Sequence, residues 1–181
     1  MPHCIKEGFR MAATFTLPDG LGLRMAKPSD QPFISNLFNS SRALLRFAEA
    51  ERDYIEHLIE QQFDMQSQSY AERFPNAQTL VIEKTSEPIG RIMIDMGVNL
   101  VHIIDLMLIP QAQGKGYGPA VLRAVQYVAA QQSLPVALVV DRFNTKLKTI
   151  YQSLGFCVEQ QNQTHELMIW YPSQPHLYVG V

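Results

Sequence analysis

The chain predicts a single α+β domain built on a mixed, mostly antiparallel sheet, and three observations carry that prediction. Apolar residues recur at helical spacing in two early segments. Strand-length apolar segments follow, and a strand–loop–helix–strand unit with a glycine-rich loop occupies the second half. A length of 181 residues suits one domain with a buried core. We expect an N-terminal leader or short strand over 1–20 and the folded domain over 21–181.

Ala12–Met25 has two short apolar stretches around Pro18-Asp19-Gly20, a turn signature, and reads as a hairpin or as a strand with a leader. After Pro28-Ser29-Asp30, the residues Phe33, Ile34, Leu37 and Phe38 fall at helical spacing, with Ser29 or Asp30 available as N-cap. A second helix is expected from about Ala48 to Gln66, with Tyr54, Ile55, Leu58, Ile59 and Phe63 on one face. Thr79–Lys84 and Ile89–Asp95 read as an antiparallel hairpin around a four-residue loop, Thr85-Ser86-Glu87-Pro88. Leu100–Ile109 is nearly all apolar, as a strand covered on both faces requires, and takes the centre of the sheet. Pro110 ends it. Pro119, in a first helical turn, opens a helix to about Gln132 with Val121, Leu122, Val125, Val128 and Ala129 inward. Pro135–Val140 is another buried strand. Asn144 caps a short helix whose Leu147, Ile150, Tyr151 and Leu154 share a face, and Gly155 ends it. Cys157–Gln160 and Glu166–Tyr171 complete the sheet as a last hairpin.

Fifteen Lys+Arg against seventeen Asp+Glu leave a net charge of −2, which offers no electrostatic footprint for a phosphate backbone, so no nucleic-acid partner is expected. Hydrophobic residues at 46% and charged residues at 18% exclude a disordered chain. The longest apolar run, Leu100–Pro110, is interrupted by His102 and Asp105 and falls short of the roughly 18 residues of a membrane span, so no membrane is expected either. Cys4 and Cys157 cannot make a disulfide framework or a four-ligand zinc site, and no metal is expected. The N-terminus, MPHCIKEGFRMAA, has no apolar h-region, which points to the cytoplasm; Met11 is an alternative start.

The chemistry centres on Gln111-Ala112-Gln113-Gly114-Lys115-Gly116-Tyr117-Gly118, between a buried strand and a helix start. Three glycines at alternate positions let backbone N–H groups approach an anion, and the helix adds its positive end. A plain turn needs only one glycine. Each charge-assisted hydrogen bond is worth about 1.5–3 kcal/mol, so a few such amides hold a diphosphate without an arginine clamp. A P-loop is excluded, because Gly116 stands where the magnesium-binding hydroxyl belongs. A dinucleotide fingerprint starting at Gly114 and Gly116, with Asp141 on the ribose, meets Pro119 at its third glycine and has too few βα units behind it.

Gln111-x-x-Gly114-x-Gly116-x-Gly118 after a buried strand resembles the acetyl-CoA motif of the GNAT N-acetyltransferases, [RQ]-x-x-G-x-[GA]. Downstream, Asn144 and the stretch Leu147–Phe156 (LKTIYQSLGF) are similar to that family's "N…LY…LGF" segment. The resemblance covers roughly Ile89–Tyr171. It implies a sheet whose two central parallel strands splay apart around the cofactor's pantetheine arm. It implies backbone contacts from Leu106, Met107 and Leu108, a diphosphate cradle from Gln113, Gly114, Lys115, Gly116, Tyr117 and Gly118, and a side-chain contact from Asn144. Acetyl-CoA is then the co-substrate, and the activity implied is acyl transfer to a small-molecule or peptide amine. A non-catalytic acyl-CoA sensor of the same fold is the alternative, and it needs the cradle but no acid.

Bottom-up chemistry asks for the same parts. A thioester is already activated, so the protein has to position it, take a proton from the amine and return one to the leaving thiolate. Holding a lysine-like amine neutral at pH 7 costs about 4.6 kcal/mol, which calls for a base or a desolvated site. Tyr151 takes the general-acid position by the resemblance; its helical face with Ile150 and Leu154 also fits a core aromatic. Asp105, inside the central strand, is costly there unless paired, and reads as the base or as a hydrogen-bonded structural acid. His102 falls on the opposite face from Asp105 by simple alternation. Lys115 reads as a phosphate-facing or merely solvated charge. For the acceptor, Arg42 offers a bidentate site for a carboxylate, or is an exposed surface arginine. The final hairpin and the tail Pro172–Val181 offer a homodimer contact.

Overall fold

The computed structural model of the chain describes residues 15–17, 20–41 and 52–172. Eight strands, β1 (Phe15–Thr16), β2 (Leu21–Met25), β3 (Gln78–Lys84), β4 (Glu87–Met96), β5 (Val101–Leu108), β6 (Val136–Asp141), β7 (Cys157–Gln161) and β8 (His165–Trp170), form one sheet in the order β1-β2-β3-β4-β5-β6-β8-β7. Four helices, α1 (Gln31–Ser41), α2 (Arg52–Arg73), α3 (Tyr117–Gln131) and α4 (Thr145–Ser153), flank it. Every neighbouring pair is antiparallel except β5 and β6. The expected α+β class, the mixed sheet and the central place of the apolar strand are all present.

The parallel pair is short. β5 and β6 pair only at Val101–Val136, His102–Ala137 and Ile103–Leu138, after which Ile104–Leu108 and Val139–Asp141 run on without each other, so the sheet opens at its centre. The opening begins where β5 carries a bulge. Met93 faces Asp105 while Ile94 faces Ile103, which leaves Ile104 as the extra residue.

On one face, α3 and α4 bury a core that includes Ile92, Ile94, Val121, Leu122, Val136, Phe156 and Met168. On the other, Phe38 of α1 and Ile59 of α2 pack with Phe63 and Met107, the Phe38 and Phe63 rings 5.2 Å apart. Both faces of β5 are thereby covered. Among the described residues no helix is long and apolar enough to cross a membrane.

Three local expectations change. The β3–β4 loop has two residues, not four: Thr85 (φ 52°) and Ser86 (φ 68°) take the left-handed pair of a tight hairpin turn, and Lys84 pairs with Glu87. Neither is Gly or Asn, so the usual marker of that turn is missing. Pro88 enters β4 beside a bulge at Ile89, where a missing ladder donor is tolerated. Next, α2 runs to Arg73, because Gln68, Ala71, Glu72 and Arg73 are good helix formers and the first breaker is Pro75. The expected start of that helix near Ala48 lies outside the described residues. Finally, Asp30 does not cap α1. Its carboxylate accepts from the Lys27 amide at 2.7 Å and from the forked Arg24 guanidinium at 2.7 and 2.9 Å, which pulls its pKa down to about 2.

Candidate active site

The glycine-rich loop leaves β5 through a 3-10 turn at Pro110–Ala112 and enters α3 with Gly116 as its N-cap. Gly114 (φ 72°) and Gly116 (φ 81°) are left-handed, and an ideal Cβ on either meets no protein atom within 4 Å. Conformation, not crowding, calls for glycine at both positions, and the space beside them is open. Among the described residues no backbone carbonyl accepts a hydrogen bond from the amides of Gly114 to Gly118. The 15-residue α3 adds its positive end to that row of donors. Gln113 Nε2 donates to the Leu108 carbonyl at 2.9 Å and ties the loop to the strand end.

From this loop a cleft of about 570 Å³ follows the opened edge of β5, lined by Leu106 and Leu108, by Gly114, Gly116 and Gly118, and by Asn144, Ile150 and Tyr151 across the gap. Backbone alternation decides which peptide groups face it. The Ile109 amide donates to the Ile89 carbonyl, so Ile109 and, two residues earlier, Met107 turn their peptide groups toward β4; Leu106 and Leu108 turn theirs into the gap. Met107 thus differs from the expectation: its backbone faces away, and its side chain packs on the opposite face with Phe38 and Ile59.

Asn144 caps α4 as its position predicts, its Oδ1 accepting from the Leu147 amide at 3.1 Å. Tyr151, half-buried, packs against Phe156 with ring centroids 6.0 Å apart. Burial, and secondarily the negative charge of Asp105, push its phenol above the ordinary value of 10, so it stays protonated at neutral pH.

Asp105 and Tyr151 are therefore brought into one electrostatic neighbourhood across the opening. Asp105 Oδ2 accepts from Arg91 Nη2 at 2.8 Å and Nε at 3.2 Å. Its Oδ1 and Arg91 Nη1 have no hydrogen-bond partner among the described residues. Sequence reasoning missed Arg91, which is 4% exposed. The available signal was an arginine flanked by apolar residues in IGRIM, with an aspartate inside the adjacent strand.

His102 and Asp105 share a face, contrary to simple alternation. Asp95 pairs with His102 and Met93 with Asp105, and residues 93 and 95 lie on one side of β4; the extra Ile104 reverses the parity between their partners. The His102 ring sits edge-on to Phe74 at 4.9 Å. Lys115 is exposed in the loop. Asp141, the ribose candidate of a dinucleotide site, accepts the Phe143 amide at 2.7 Å and stabilises a turn, and a sheet with one parallel pair is not the dinucleotide-binding architecture. Arg42 lies outside the described residues. Among the described residues no group of three His, Cys, Asp or Glu side chains is placed to hold a metal ion.

Residues 41–156 match the model of the acetyltransferase (GNAT) family. No curated protein sequence matches the chain. Among solved structures, the PaiA N-acetyltransferase from Thermoplasma acidophilum in complex with coenzyme A superposes with a TM-score of 0.63 at 20% identity, covering 83% of this chain and 98% of that one. The ribosomal-protein-S18-alanine N-acetyltransferase from Escherichia coli gives 0.61 at 13% identity, over 89% and 99%. A chimera of the spermidine N-acetyltransferase SpeG from Vibrio cholerae gives 0.59 at 23% identity, over 84% and 95%. These likenesses concern the fold, whereas the family model spans well over half of the sequence: the chain belongs to the GNAT family of acetyltransferases.

Proposed function

We propose that this acetyltransferase moves the acetyl group of acetyl-CoA directly to an amine, with Tyr151 as proton donor and Asp105 as proton acceptor. The reading is carried by the row of unpartnered amides from Gly114 to Gly118 at the mouth of a cleft whose far end holds a protonated phenol near a carboxylate. An anion fits that row: the left-handed glycines leave room and the helix end favours negative charge. The loop from Gln113 to Gly118 would hold the diphosphate. Leu106 and Leu108 would hold the pantetheine arm through their peptide groups, and Asn144 would use its amide nitrogen, its oxygen being spent on the cap.

The thioester supplies an activated acyl group. Asp105 takes the amine's proton on Oδ1, the oxygen that Arg91 leaves open. Tyr151 gives its proton to the departing sulfur, so that one C–N bond forms as one C–S bond breaks. The solved relatives are named for protein amines and for a polyamine, so either kind of acceptor suits the fold. A cytoplasmic setting fits an unpaired, exposed Cys157. Dimerisation through the last hairpin fits the exposed edge strand β7.

Calorimetry with coenzyme A, together with thiol release from acetyl-CoA across a panel of amines, tests the proposal. Binding and turnover are expected. Binding without turnover of any amine would replace the transferase by a coenzyme A sensor.

A further inference from the structure

A second cavity, of about 680 Å³, lies on the opposite face of the sheet between α1, α2 and the strands β3 and β4. Its walls are largely apolar and aromatic, with Phe63 and Tyr70 from α2, Phe74 just after it and Met93 from β4. The charged residues lining it are Lys27 and Arg91, and no carboxylate is among its described lining residues. Arg91 is also the cation bound to Asp105, whose cross-strand partner is Met93 in the cavity wall. Arg91 therefore lines the cavity and holds Asp105 just behind its wall. Asp105 in turn lies beyond the last β5–β6 pair, at the opening, where its charge reaches Tyr151.

This one ion pair presents two unused valences of opposite sign, Nη1 of Arg91 and Oδ1 of Asp105, on partners whose nearest atoms are 2.8 Å apart. A free α-amino acid carries the complementary pair, a carboxylate and an amine on one carbon. We infer that the acceptor is a free α-amino acid with a large apolar or aromatic side chain. Its carboxylate meets Arg91 Nη1, its amine meets Asp105 Oδ1, and its side chain fills the space between Phe63, Tyr70 and Phe74. A polyamine would bring several cations beside Lys27 and Arg91, with no carboxylate for itself beyond Asp105. A protein N-terminus lacks the carboxylate. The inference rests on the transferase reading above and makes Arg91 a specificity-determining residue.

The test measures acetyl transfer and calorimetric binding for L-phenylalanine, L-leucine, glycine, L-phenylalanine amide, phenethylamine and spermidine. L-Phenylalanine and L-leucine should bind and be acetylated. Phenethylamine and the amide, which lack the carboxylate, should fall by about tenfold to a hundredfold in kcat/KM. Because Arg91 variants leave the half-buried Asp105 without its partner, a variant elsewhere keeps the test open. Ala71→Phe, which narrows the cavity from the α2 side, should shrink the phenylalanine-to-glycine ratio of kcat/KM about tenfold, with coenzyme A affinity retained as the check on folding. Equal use of phenethylamine and phenylalanine, or an unchanged ratio in Ala71→Phe, overturns the inference. Turnover of spermidine but not of free amino acids overturns the acceptor class and leaves the transferase standing. Coenzyme A binding with no amine acetylated overturns both.

Discussion

Replacing Gly116 by alanine separates the loop's conformational role from its binding role. Gly116 sits at φ 81° and ψ 1°, and an added Cβ meets no protein atom within 4 Å. The cost to the fold is therefore the left-handed backbone alone, about 1–2 kcal/mol for an L-residue. In a chain of this size each kcal/mol lowers Tm by about 2–4 °C, so a fall of roughly 2–8 °C is expected by calorimetry. The cost to binding is larger. If the backbone relaxes toward negative φ, the neighbouring amides rotate off the anion, and each charge-assisted bond lost is worth about 1.5–3 kcal/mol. One such bond raises the Kd for coenzyme A by roughly tenfold to a hundredfold. Pantetheine, which has the arm but not the diphosphate, supplies the control, and its affinity should stay within about twofold. Equal weakening of both ligands would mean that the variant damages the cleft as a whole. A coenzyme A affinity unchanged beside a lowered Tm would mean that these amides do not hold the diphosphate.

Further consequences concern the phenol, the histidine and a packed glycine. Tyr151→Phe should lower kcat by about 10²–10⁴ in stopped thiol-release assays while leaving coenzyme A binding intact; unchanged turnover would remove Tyr151 from the acid role. His102 is less basic in the fold than its ordinary 6.5, mainly through burial and also through Arg73, with Asp95 opposing. The unfolded chain therefore binds the extra proton first. This contribution is complete above pH 6.5 and is lost as pH falls from there toward the lowered folded value. Urea titrations at pH 7.5 and 5.5 should show the loss, and His102→Gln should shrink it; an equal pH slope in the variant would refute the assignment. A Cβ at Gly90 would overlap the Met107 carbonyl oxygen and stand 2.7 Å from Leu108 Cδ2. Gly90→Ala should thus cost about 3 kcal/mol in denaturant unfolding by forcing β4 from β5, and a loss under about 1 kcal/mol would show that the two strands can part freely.

What the sequence made legible was set by local chemistry. Asn144, Gly155, Gly114 and Gly116 announced themselves because a cap needs a side-chain oxygen and a left-handed residue needs the absence of a Cβ, and the structure uses each in that way. Strand β5 was readable because burial on both faces demands an apolar run. The Thr85-Ser86 turn was not, since its left-handed pair is imposed by the register of β3 on β4 and not by either residue's preference. The length of α2 was obscured by glutamines, which are adequate helix formers but carry no periodic apolar signal.

The bulge at Ile104 was the costliest omission, because nothing in LVHIIDLMLI marks which residue is extra, yet the arrangement of the site follows from it. Without the extra residue, alternation would turn Asp105 to the α3 side, away from Arg91, which shares its face with Met93. With it, Asp105 meets a buried arginine on the α1 and α2 side, and the pairing with β6 stops one residue earlier, at Ile103. The same irregularity thus accompanies the opening between β5 and β6 and sets the carboxylate beside it. A burial pattern read residue by residue cannot anticipate this, because the parity of a strand is a property of its pairing, and the pairing exists only once β4 has been laid against β5.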